Sequence, residues 1–132
     1  NPLYPGVFAT MQGLLNQAEC FILTTKQERF VLEILAANQL SIDADRVFGL
    51  DRNLEKNAIL ADLIGRYPGA SCYFIEDRLP ALVKVKDDPK LPGIHLQLAG
   101  WGYNVLEDRR AAERIGIQVL SLEAFNNQPI NG

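Results

Sequence analysis

Short apolar runs that stop abruptly at polar residues alternate along this chain with longer segments whose apolar residues recur at helical spacing, and few architectures accept that pattern. Val7 to Asn16 carries Val7, Met11, Leu14 and Leu15 on one helical stripe. Cys20-Phe-Ile-Leu-Thr24 then reads as a strand buried on both faces. Gln27 to Asn38 is a helix with Phe30, Val31, Ile34 and Leu35 on one side and Asn38 as its stop. The unit recurs: strand Arg46 to Gly49, helix Glu55 to Tyr67 closed by Pro68-Gly69, strand Cys72 to Ile75, and a helix through Leu79, Leu82 and Val83 toward Lys86. Strand His95 to Ala99, helix Glu107 to Arg114 and strand Gln118 to Leu122 complete the series.

Strands joined through helices of about a dozen residues pair in parallel by right-handed crossovers, which predicts an α/β fold, a three-layer Rossmann-like parallel sheet with helices on both faces. Such sheets bind ligands at the carboxyl ends of their strands. The polar residues that end the apolar runs are therefore expected at one rim: Thr24-Thr25-Lys26, Asp51-Arg52, Glu76-Asp77-Arg78 and Gly100-Trp101-Gly102-Tyr103-Asn104.

Composition narrows the partners. With 132 residues, 48% hydrophobic and 22% charged, the chain can pack a core as one domain spanning 1–132. A net charge of −3 gives no electrostatic reason to expect nucleic acid or an anionic membrane, since neutralising phosphates takes clustered Lys and Arg. No apolar run approaches the ~20 residues that cross a bilayer, and Asn1-Pro-Leu-Tyr-Pro-Gly6 has neither a basic nor a hydrophobic leader region, so the chain reads as soluble and cytoplasmic. That opening resembles an internal linker. Cys20 and Cys72 each begin an apolar run, where a thiol behaves as a small hydrophobe.

Three motifs occur in order: FILTTK around Thr24, a lysine opening a helix in NLEKNAIL at Lys56, and CYFIEDRLPAL with its acid pair Glu76-Asp77. Together they resemble the second, third and fourth motifs of the haloacid-dehalogenase superfamily, and the resemblance covers nearly the whole chain. WGYN at Trp101 to Asn104 resembles a subgroup found in cyanobacteria and plants. The resemblance implies a Mg²⁺-dependent phosphohydrolase acting on a small phosphorylated metabolite. It implies that Thr24, with Thr25 beside it, hydrogen-bonds the transferring phosphoryl group, that Lys56 neutralises its charge, and that Asp77 with Glu76 holds the metal.

These residue types suit that chemistry. Phosphoryl transfer needs alignment and charge neutralisation around three equatorial oxygens, hence a hard cation, a lysine and hydroxyl or amide donors. Carboxylates are proper ligands for Mg²⁺, usually one or two with water completing the octahedron. A lysine at a helix start adds its charge to the positive end of the helix dipole.

The chain departs from the family at its first motif. An apolar strand followed by Asp-x-Asp-Gly, whose first Asp attacks phosphorus, does not occur, and Asp43-Ala44-Asp45 follows Leu40-Ser41-Ile42 and reads as a solvated turn. The position four residues past Asp77, acidic in many members, is Ala81. In the family the missing strand lies between those assigned here to Phe21 and Tyr73. The chain is accordingly expected to be the C-terminal part of a core. Its first strand, nucleophile and any cap domain would be supplied in cis or by a second chain, and the fragment alone would be inert.

Plainer roles compete with some of these. Thr24 and Thr25 are suited to capping the following helix, Lys26 to solvent, Trp101 to packing against the rim, and His95 to a structural role inside its strand. Lys84, Lys86 and Lys90 with Asp87 and Asp88 read as a solvated face. The competing overall reading is a non-catalytic α/β binding or interaction module.

Overall fold

The computed structural model describes residues 6–102 and 104–127. Among them are six α-helices and five strands, an α/β chain with parallel pairing throughout. The chain divides into two compact units, the first ending at Lys56 and rejoined by the C-terminal end from Asn126, the second Asn57–Phe125.

The first unit contains α1 (Val7–Leu15), β1 (Ile22–Leu23), α2 (Glu28–Ala37) and β2 (Val47–Phe48). β1 and β2 pair in parallel, Ile22 beside Val47 and Leu23 beside Phe48. The expected strands here were longer, and only two residues of each find partners. β2 is wholly buried and, with Leu35 and Leu40, forms the unit's core. α2 ends where Gln39 turns into the left-handed region at φ 61°, letting the Leu40 N–H return to the Leu35 carbonyl at 2.9 Å. The segment around Asp43-Ala44-Asp45 is a 3₁₀ turn over Ala44–Arg46 with Asp43 and Asp45 exposed, as the solvated-turn reading requires.

The second unit is a three-stranded parallel sheet in the order β3 (Tyr73–Glu76), β4 (His95–Ala99), β5 (Gln118–Leu120). Its helices are α3 (Lys56–Arg66, from Asn57 onward in this unit), α4 (Leu79–Lys86), α5 (Leu106–Arg114) and α6 (Leu122–Asn126, as far as Phe125 in this unit). Pro80 sits in the first turn of α4, where its missing N–H is harmless, and Lys84 and Lys86 occupy the last turn, where cations suit the dipole. α5 begins with the Val105 N–H donating to the Asp108 carboxylate at 3.0 Å. Leu98 and Leu82 are completely buried, and Val85, Ala112, Ile117 and Leu120 join them in the core.

The described strands form two sheets, β1–β2 and β3–β4–β5. One expectation changes. The final strand stops at Leu120, because Ser121 accepts the Ala124 N–H at 3.0 Å and starts α6, so Leu122 is helical. Among the described residues no helix is long and apolar enough to cross a membrane.

Candidate functional site

In the second unit the carboxyl ends of β3 and β4 are knitted together. Asn104 has two amide hydrogens, and its Nδ2 donates to the Asp77 carbonyl at 2.9 Å and the Ala99 carbonyl at 2.8 Å. Its Oδ1 accepts from Arg109 Nη1 at 2.9 Å, so α5 holds the amide in place, and the same Nη1 reaches the Gly100 carbonyl at 3.4 Å. Gly102, whose N–H donates to the Ala99 carbonyl at 3.0 Å, lies directly against Asp77. A methyl on Gly102 would overlap Asp77 Cβ and come within 3.0 Å of its Oδ2.

The two acids expected to act as a pair have different surroundings. Glu76 is buried, and its Oε2 accepts the backbone N–H groups of Asp77 at 3.0 Å and Arg78 at 3.2 Å. That carboxylate folds the turn leading into α4 and satisfies donors that the helix start would otherwise leave open. Asp77 is half-buried at the tip, with its carboxylate beside Gly102. Trp101 packs its ring on Phe125 at 5.4 Å, the packing role anticipated for it. Tyr103 lies outside the described residues.

The first unit has a rim of its own, built from charges. Thr24 follows β1 and its N–H donates to the Phe48 carbonyl at 2.9 Å. Its Oγ1 accepts the Lys26 N–H at 3.1 Å, which closes a hydroxyl turn and leaves the Thr24 O–H as a donor not used in that bond. Neither Thr24 nor Thr25 caps α2. The Glu28 N–H at its start is met by Asp51 Oδ1 at 2.8 Å, and Thr25 is exposed. Glu28 Oε2 in turn accepts from the Gly49 N–H at 2.9 Å and Arg52 Nε at 2.7 Å, while the Arg52 guanidinium lies 4.7 Å over the Phe48 ring. Gly49 has no room for a side chain, since a Cβ would fall 2.6 Å from the Lys26 carbonyl oxygen.

Lys56 is the first residue of α3, the helix-start position expected of it, and is half-buried. Thr24, Thr25 and Lys56 thus belong to the first unit, Glu76 and Asp77 to the second. Among the described residues no group of three or more His, Cys, Asp or Glu side chains is placed to hold a metal ion. Cys20 and Cys72 are free thiols, and burial pushes both above the ordinary thiol range, which suppresses the reactive thiolate. A depression of about 240 Å³ lined by Lys86, Leu91, Ile94 and Ile117 sits at the amino ends of β4 and β5, opposite the Asp77 tip.

Sequence reasoning marked Asn104, Asp51 and Arg52 as rim residues without assigning them partners, and passed over Glu28 and Arg109. Arg109 carried a readable signal, being five residues past Asn104 and near the start of the next helix. Glu28 carried none, because its partner Gly49 is 21 residues away. Comparison with protein-family models, curated proteins and solved structures gives no match.

Proposed function

We propose that this chain is the greater part of the catalytic core of a Mg²⁺-dependent phosphohydrolase of the haloacid-dehalogenase type, acting on a small phosphorylated metabolite. The observation that carries the reading is Asp77, half-buried at the carboxyl tip of a parallel strand where α/β sheets place ligands, its main-chain carbonyl accepting from Asn104 and its side chain lying against Gly102. The three-layer core of that family would be completed by an N-terminal strand. Such a strand would find an open edge on β3, which among the described strands pairs only with β4.

In this reading the attacking aspartate comes from the N-terminal segment, in cis or as a second chain. Thr24 offers its O–H to a phosphoryl oxygen, with Thr25 next to it, and Lys56 adds its charge to the amino end of α3. Asp77 fits Mg²⁺ as a hard oxygen ligand, while Glu76 commits one oxygen to two backbone N–H groups and so acts mainly by shaping the turn that presents Asp77. Bound there, the cation would neutralise charge on the transferring group.

The test is p-nitrophenyl phosphate hydrolysis with Mg²⁺, by this chain alone and by the polypeptide that includes its upstream segment. The longer form should turn over and the chain alone should not, and Asp77→Asn should lower kcat/KM by about 10²-fold or more, the scale seen when one stabilising group is lost. Turnover by the chain alone would overturn the residue roles. A longer form that is inert and has no strand-terminal Asp-x-Asp would leave a non-catalytic interaction module as the better account.

A further inference from the structure

We infer that the outer edge of β3 is a docking surface for a second copy of this chain, which lays its own β3 there in antiparallel pairing about a two-fold axis. The inference stands apart from the phosphohydrolase reading, in which an upstream strand would compete for the same edge, and it concerns the 132-residue chain itself.

The strand shows which of its groups are open. The Cys72 carbonyl accepts the His95 N–H at 2.9 Å, so Cys72, Phe74 and Glu76 turn their main-chain groups toward β4 by the alternation of a parallel ladder. Tyr73 and Ile75 turn theirs away, and no described strand lies on that side. The side chains agree. Tyr73 is 55% exposed, alone in a described strand among the exposed large apolar residues, with its ring stacked on His95 at 4.4 Å. Ile75, on the same face of the strand, is half-buried. Neither proline nor lysine, which commonly guard an edge against pairing, occurs in Tyr73–Glu76. The opposite edge of the sheet offers less: the Leu120 carbonyl accepts the Gly100 N–H, so Gln118 and Leu120 face β4 and only Val119 of β5 turns outward.

The open groups also select the partner and the register. In an antiparallel pair, opposite residues exchange both hydrogen bonds when each turns its main chain toward the other. Setting Phe74 opposite the partner's Phe74 brings Tyr73 opposite the partner's Ile75, and Ile75 opposite the partner's Tyr73, so every outward N–H and C=O of the two strands is used. A slip toward the carboxyl end would call on Asp77, whose N–H already donates to Glu76 Oε2 and whose carbonyl accepts from Asn104. A slip the other way would call on Ser71, which lies outside the strand. β3 is thus complementary to itself in one register. That register sets each exposed Tyr73 ring beside the partner's Ile75, a favourable aromatic and β-branched pair, and sets Glu76 opposite the partner's Cys72, so the two Glu76 carboxylates do not meet. A two-fold contact consumes the edge on both sides, which stops assembly at two chains. The ladder is short, so the dimer is weak and depends on concentration.

Sedimentation equilibrium in reducing buffer, which keeps Cys20 and Cys72 from cross-linking, should show a 14.7 kDa species passing to twice that mass as the chain is concentrated from about 10 µM to about 1 mM. Amide exchange read residue by residue should slow at Tyr73 and Ile75 over the same range, while Phe74 and Glu76, bonded to β4, exchange slowly throughout. Tyr73→Lys guards the edge and removes the aromatic pair at both of its sites, and should weaken association by about 10-fold or more. Ile75→Pro deletes an outward N–H and spares the bonds to β4, and should abolish association. Leu106→Lys, at an exposed apolar position on α5, is the control and should leave the association constant unchanged.

A chain that stays monomeric to about 1 mM would overturn the inference and leave the phosphohydrolase reading untouched. A dimer whose Tyr73 and Ile75 amides still exchange freely would overturn it too, as would one that Leu106→Lys weakens as much as Tyr73→Lys does, or assembly that continues beyond two chains. Should Ile75→Pro not fold, Tyr73→Lys decides, since its site is exposed.

Discussion

The two units finish their strands with the same device made from different chemistry. In the first, Glu28 gathers the Gly49 N–H and Arg52, and Asp51 meets the Glu28 N–H, so the tips of β1 and β2 are held by ionised groups. In the second, a neutral amide, Asn104, spans two strand-end carbonyls and only its back is held by a charge. Each fastening sits beside a glycine that another atom has already crowded. An ionic clasp concentrates its strength in one side chain and answers to salt. An amide clasp spreads it over two acceptors and depends less on ionic strength.

The largest effect should come from breaking the ionic clasp. Glu28→Ala leaves the N–H of a buried glycine and a partly buried Arg52 without their acceptor, and is expected to cost about 2–3 kcal/mol in urea unfolding. Asn104→Ala removes two hydrogen bonds to main-chain carbonyls and the one its oxygen accepts from Arg109, and should cost less, about 2 kcal/mol. Salt separates the two. Raising ionic strength to about 1 M, where the Debye length is about 3 Å, should shrink the Glu28 deficit and leave that of Asn104 nearly unchanged. Equal salt responses would show that the contrast between the units has no energetic content.

How much of this could be read from the residues depends on how local each cause is. The helices were legible because periodic apolar residues such as Phe30, Val31, Ile34 and Leu35 state their own face. The α/β class followed from strand and helix alternation. The clasps were not legible, because Asn104 meets Asp77 across 27 residues and nothing near Asn104 advertises that partner. β1 shrank for the same reason: a run of five apolar-leaning residues becomes strand only where a neighbour supplies hydrogen bonds, and β2 supplies two residues' worth. α6 was a misreading of available information, since Ser121 ahead of Leu122-Glu123 is a helix-start signal. As for the candidate site, Asp77 and Lys56 lie at the tip and helix start that their motifs implied, whereas Glu76 reads the same in sequence whether it faces solvent or its own backbone.

A smaller effect, of opposite sign, tests how well the second unit satisfies its polar groups. Gln97 is buried in β4, and its Nε2 donates to Gln118 Oε1 at 3.0 Å while its own Oε1 has no hydrogen-bond partner among the described residues. Gln97→Leu removes that acceptor and leaves only the exposed Gln118 to be met by water. It should stabilise the chain by about 1 kcal/mol. A loss of stability of that size would mean that the amide is worth more to the sheet than its open acceptor costs.

The smallest expected effect carries the comparison to a second amide in the same unit. Asn57 Nδ2 also spans two acceptors, the Lys84 carbonyl at 3.1 Å and Asp88 Oδ2 at 2.9 Å, but here one acceptor is ionised. The Asn57 hydrogen bond, then the Lys90 N–H at 2.9 Å and the Lys90 charge hold the Asp88 carboxyl below the usual carboxylate range. A carboxyl whose pKa is lower folded than unfolded contributes its stabilisation in full above the unfolded value of about 3.9 and loses it as pH falls through the folded value. Asp88→Asn should therefore lower Tm slightly at neutral pH, and the difference from wild type should close as pH falls from about 4 toward 2. No such closure is expected for Asn104→Ala, whose acceptors are carbonyls that do not titrate, so thermal melts of both variants across that range separate the amide that donates to an ionised group from the amide that donates only to main chain.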